Sequence, residues 1–126
     1  MSLEEVDPFD LPDWLGEQEV TWTAEAGLRG HLVRGTLRGD GEELACDLLA
    51  VDEAYPAPVA DDATRSRAHQ AWRHGQVHLV TAGDRLTLLA PGREHTVEGV
   101  LDVVGRLAKA LGAAPDRYAV LLRLGG

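Results

Sequence analysis

Three of the five histidines, His69, His74 and His78, fall within ten residues in the stretch AHQAWRHGQVH. Imidazole is a common zinc ligand, and Cys46 or Asp47 could complete a tetrahedral set. The spacing argues against such a site. Ligands four apart on a helix share a face, whereas His69 and His74 are five apart and diverge by about 140°. His78 lies beyond Gly75, where a helix here is expected to stop. His69, His74 and His78 are therefore weak metal candidates, and the reading is no metal and no cofactor. His74 suits a helix C-terminus, while His69 and His78 are expected to face solvent.

Arg65, His69 and Arg73 recur every fourth residue and form one basic ridge of a helix. Such a ridge could hold a phosphate or another anion. The competing use is ion pairing with Asp52, Glu53, Asp61 and Asp62, which precede it in the chain. Asp47 is the other unusual residue, because a carboxylate within the apolar run LACDLLAV is costly unless paired. Cys46 and Asp47 are adjacent on a strand and point to opposite faces, so they cannot act together. Asp47 is expected to be exposed on an open face. Phosphate-loop, dinucleotide and nucleophile-elbow signatures are absent, and no catalytic residue is assigned. Arg38-Gly39-Asp40 and the sequence Gly27-Leu28-Arg29-Gly30 match short motifs only superficially, since both lie between strands.

Charge is distributed unevenly. The chain of 126 residues carries 21 acids against 12 bases, a net charge of −9. Eight acids fall within the first 28 residues, which contain no Lys or Arg. Phe9, Leu11, Trp14, Leu15 and Trp22 are interleaved with them, so the segment is apolar as well as negative. Glu4, Glu5, Asp7, Asp10, Asp13 and Trp14 form the candidate interaction face. An acidic surface disfavours nucleic acid and anionic membranes as partners and favours a basic protein. One cysteine excludes an internal disulfide and fits a reducing compartment. The start is acidic where a secretory leader is basic, so the expected location is the cytoplasm.

The elements that must position these residues can be read from periodicity. Pro8 and Pro12 restrict the beginning, and Asp10 or Asp13 caps a short helical turn through Trp14 to Gly16. Val20, Trp22 and Ala24 alternate as a strand. After a turn at Ala26-Gly27, a second strand covers about 31–38 with Val33 and Leu37 on one face. Gly39-Asp40-Gly41 marks a hairpin into the third strand, 44–51, apolar on both faces and thus central. Asp61 or Asp62 caps a helix that ends at Gly75, with Thr64, Ala68, Ala71 and Trp72 inward. Residues 77–81 and 85–90 form a hairpin around Gly83-Asp84. Thr96 caps the strongest amphipathic helix, whose expected inward stripe is Val97, Val100, Leu101, Val104, Leu107, Ala108 and Leu111. On its wet side Asp102 and Arg106 form an i,i+4 pair. A strand at 118–124 closes the chain. The fold class is α+β: one domain, 10–126, preceded by a flexible acidic segment, 1–9. It is read as a two-layer sandwich with a mainly antiparallel sheet of about six strands, two main helices and a short N-terminal helical turn.

The segment DLLAVDEAYPAPVADDATRSRAHQAWRHGQVHLV, together with FDLPDWLG, resembles a family of small actinobacterial proteins. That resemblance brings no activity and no functional residues. The order of elements is similar to that of type III secretion chaperones, which are small, acidic, dimeric and non-enzymatic. It implies a chaperone-like or adaptor role and a homodimer, and the closing strand departs from that pattern. Two functions follow as expectations. One is a non-enzymatic module presenting its acidic N-terminal face to a protein partner. The other is a small anion- or metal-binding protein, in which helix 62–74 supplies Arg65, His69 and Arg73.

Overall fold

The computed structural model describes residues 3–25, 27–52 and 60–112, and the backbone of 122–125. Strand β1 (Leu3–Glu5) leads through a 3₁₀ turn (Pro8–Asp10) and helix α1 (Trp14–Glu17) to β2 (Val20–Ala24). Strands β3 (Leu32–Val33), β4 (Gly35–Arg38) and β5 (Glu43–Val51) follow. Helix α2 (Asp62–Arg73), β6 (His78–Ala82), β7 (Arg85–Pro91), helix α3 (Val97–Gly112) and β8 (Leu122–Gly125) complete the chain. The result is a single α+β domain built on one mixed sheet. The part of the closing strand expected at 118–121 lies outside the described residues, as do Ala26 of the expected turn and residues 53–59.

The sheet order is β1-β6-β7-β5-β4-β2-β8, with β3 also pairing with β5. The long apolar strand β5 therefore sits in the middle, as its two-sided hydrophobicity requires. Most neighbours are antiparallel, but β5 pairs with β7 in parallel, Cys46 opposite Leu86 and Val51 opposite Pro91. β2 and β8 are also parallel. Parallel neighbours need a long crossover, and here α2 with β6 separates one pair while α3 lies within the connection of the other. The two hairpins turn on glycine. Gly41 has φ +77° and Gly83 has φ +65°, values that a side chain would disfavour.

Alternation along the strands separates two cores. Cys46 and Leu48 of β5, with Trp22, Leu37, Leu86 and Leu88, pack with Leu15 of α1 and Val100, Val103, Val104 and Leu107 of α3. Leu49 and Val51, on the opposite face of β5, pack with Val80, Leu89, Ala60 ahead of α2, and Ala68 within it. α1 and α3 thus cover one face, and α2 adds a partial cover on the other. The buried stripe of α3 is rotated from the expected one. Val103 is buried, whereas Val97 and Leu101 are 50% and 45% exposed.

The caps of the two long helices behave as their residue types dictate, whereas Asp13, expected with Asp10 as the candidate cap of α1, precedes that helix in a helical conformation and makes no side-chain cap hydrogen bond to it. Asp61 accepts from the Thr64 N–H at 2.7 Å, and Thr96 Oγ1 accepts from the Gly99 N–H at 3.1 Å. The hydrogen bond to Asp61 lowers its pKa below the ordinary carboxylate value. Gly75, at φ +77°, ends α2.

The acidic start is integrated further than the sequence suggests. Residues 1–9 read as a segment outside the domain, yet Leu3, Glu4 and Glu5 pair with Ala82, Thr81 and Val80 of β6. The Val6 N–H extends that ladder to the Leu79 carbonyl at 3.0 Å.

Candidate functional site

The expected second strand is interrupted at Arg34, and the interruption organises the most unusual site in the protein. β3 and β4 keep one register against β5, with Val33 opposite Leu48 and Thr36 opposite Ala45. That register sets Gly35 against Cys46 and Arg34 against Asp47. At Gly35 side chains replace the backbone ladder. The Trp22 indole Nε1 donates to the Cys46 carbonyl at 2.9 Å. A Cβ on Gly35 would lie 2.4 Å from that indole ring, so only glycine lets Trp22 cross the strand. The Gly35 N–H donates to Asp47 Oδ1 at 3.2 Å instead.

Asp47 is buried, 3% exposed, which corrects the expectation that it lies on an open face. The physical reason is Arg85. Its Nε and Nη2 each donate to a different Asp47 oxygen at 2.8 Å, a two-pronged pairing that compensates the carboxylate's lost hydration. Arg85 Nη2 also donates to the Gly35 carbonyl at 3.0 Å. One ion pair therefore satisfies both backbone groups of Gly35. The hydrogen bonds to Asp47 raise the pKa of Arg85 further. On the other face Cys46 is fully buried, and that burial, with the Asp47 charge beside it, pushes its thiol well above its ordinary range.

Beside the pair opens a cavity of about 210 Å³ lined by Leu32, Arg34, Asp47, Leu49, Ala82, Gly83, Arg85 and Thr87. These residues lie on the face that α2 covers only in part. Leu32, Leu49 and Ala82 make it apolar, while Asp47, Arg85 and Arg34 supply one negative and two positive charges. Glu25 approaches Arg85 at 3.9 Å without lining the cavity.

The residues expected to act from the sequence are dispersed differently. Arg65, largely buried, pairs with Asp62 of its own helix, His69 is half-buried with Nε2 enclosed, and Arg73 is exposed. The ridge thus spends one of its guanidiniums on a local partner. His74 is exposed, whereas His78 is half-buried. His78 lies 3.8 Å from Glu5, and burial lowers its pKa despite that carboxylate. Among the described residues no cluster of three or more His, Cys, Asp or Glu is placed to hold a metal. Of the acidic face, Glu5 pairs with Arg67, and Asp7 caps the 3₁₀ turn by accepting from the Phe9 N–H at 3.0 Å. Glu4, Asp10 and Asp13 are exposed, and Trp14 is half-buried against Gly39.

Comparison with protein-family models, curated proteins and solved structures finds no match for the chain. The resemblances in the Asp47–Val80 segment and in element order therefore carry no function to it. Among the described residues, no helix is long and apolar enough to cross a membrane.

Sequence reasoning did not single out Arg85, Arg34 or Thr87. One signal was available: Asp47 in an apolar run demands a cation, and the hairpin at Gly83-Asp84 places Arg85 at the start of the neighbouring strand.

Proposed function

We propose that this domain is a non-enzymatic protein-interaction module whose acidic N-terminal segment docks a basic region of another protein. The observation that carries the proposal is Phe9, 68% exposed at the centre of a run of carboxylates. Its backbone is fixed by the Asp7 cap and by Pro8 at the first position of the turn. Leu15, fully buried, and half-buried Trp14 hold the segment down on one side. β1 holds it on the other. On either side of Phe9 in the chain, Glu4, Asp10, Asp13 and Glu17 stand at exposed positions. An exposed aromatic side chain within an acidic segment suits a partner with an apolar pocket rimmed by Lys or Arg. Because the segment is already ordered, less entropy is lost on docking than for a free tail.

The test is capture of partners at low and high salt by the wild type, by Phe9→Ser, and by the triple variant Glu4→Gln, Asp10→Asn, Glu17→Gln. These positions leave the Glu5–Arg67 pair and the Asp7 cap intact. Recovery is expected to fall with salt, and to fall about tenfold for Phe9→Ser. Recovery indifferent to salt and to both variants would sink the proposal.

A further inference from the structure

The cavity beside the Asp47–Arg85 pair is lined by none of the residues of the acidic docking face and has a chemistry of its own. Its floor is built from polar groups that proteins rarely bury: Asp47 at 3% exposure and Thr87 at 1%. Asp47 is satisfied by Arg85 and by the Gly35 N–H. Arg85 in turn is committed to Asp47 and the Gly35 carbonyl. Arg34 lines the same cavity, and among the described residues no carboxylate pairs with its side chain. The lining charges therefore sum to about +1, with the uncommitted cation at the mouth. The Thr87 hydroxyl donates to the Arg85 carbonyl at 3.5 Å, the outer limit of a hydrogen bond, and can turn toward a ligand at little loss. The walls, Leu32, Leu49 and Ala82, are apolar.

We infer that this cavity binds a small carboxylate with an apolar body, its carboxylate on Arg34 and Thr87 and its body against Leu32, Leu49 and Ala82. The volume, about 210 Å³, lies below the roughly 300–1,000 Å³ of pockets for drug-sized molecules. The ligand is accordingly a short branched or single-ring acid. A compact, strongly hydrated anion such as phosphate would leave the apolar walls unused. A neutral isostere would leave Arg34 unpaired.

Three probes separate these cases: benzoate, benzamide and inorganic phosphate, each titrated into full-length protein while backbone amide resonances are followed. Benzoate is expected to shift Leu49, Ala82, Gly83 and Thr87 saturably, and the other two probes are not. Arg34→Gln, a change at an exposed position, is expected to weaken benzoate binding about tenfold or more without altering the melting temperature. Arg34→Lys restores most of the binding because it restores the charge. The inference is overturned by any of four results: no saturable shift with benzoate, equal shifts with benzamide, equal shifts with phosphate, or unchanged affinity in Arg34→Gln.

Discussion

At the scale of single residues, the centre of the sheet depends on a glycine, a tryptophan and a buried ion pair that substitute for a missing stretch of ladder. Gly35 is required by space, since its φ is not among the positive ones. Gly35→Ala drives a methyl into the Trp22 ring and is expected to lower stability by about 1–3 kcal/mol in urea denaturation. Combining it with Trp22→Phe, which vacates part of that volume, is expected to cost less than the sum of the two single changes. Asp47→Ala leaves the Arg85 guanidinium and the Gly35 N–H without their partner. The expected loss is about 2–4 kcal/mol, under the figure for a fully buried pair because the Arg85 side chain keeps 27% exposure. Replacing both residues with Leu and Met removes the unpaired charge but leaves the Gly35 N–H and carbonyl without partners, so it is expected to recover only part of that loss, read from the same denaturation midpoints. The oddity of Asp47 was legible in the sequence, but its burial was not. Its partner is 38 residues away, and a strand's own alternation does not reveal which neighbour will lie beside it.

At the scale of elements, α2 and α3 are joined by one side chain. Arg106 stacks over the Trp72 ring at 3.4 Å and donates to the Trp72 carbonyl at 2.6 Å, while Asp102 holds it at 3.5 Å. The i,i+4 pair expected on the wet side of α3 is therefore partly buried at a helix–helix joint. Arg106→Lys keeps the charge but loses the planar stack, and is expected to cost about 1–2 kcal/mol with a change in Trp72 fluorescence. Helices and hairpins were the most readable elements, because caps and turn residues act locally: Asp61, Thr96, Gly75 and Gly83 do what their types predict. The facing of α3 was less readable. Val97 and Leu101 fit a helical period, yet the sheet meets the helix along a line through Val103, and only tertiary packing selects among adjacent apolar stripes. Nor does local periodicity announce that β5 and β7 run parallel, since the α2–β6 crossover that sets their direction has no repeat of its own.

For the molecule as a whole, pH is expected to act through a buried histidine. His95 is 4% exposed, and its Nε2 has no hydrogen-bond partner among the described residues. Burial, with His31 nearby, lowers its pKa to about 4 from 6.5. The unfolded chain then binds a proton that the folded chain refuses, so stability is complete above about pH 6.5 and declines as pH falls toward 4. The size of that loss is on the order of 3 kcal/mol. His78, also lowered, acts in the same direction. Melting curves between pH 7 and 4.5 are expected to fall more steeply for wild type than for His95→Gln, and parallel curves would contradict this. The sheet's middle also carries a built-in clock. Cys46 is the sole cysteine, its thiol fully buried in the same core as Trp22 and held protonated by burial. A thiol reagent can reach it only when the central strand opens, so labelling follows excursions of the native fold and not surface chemistry. At high reagent concentration the labelling rate becomes the opening rate itself. Each stability variant proposed above can thus be timed without denaturant, by a reporter that the chain already contains.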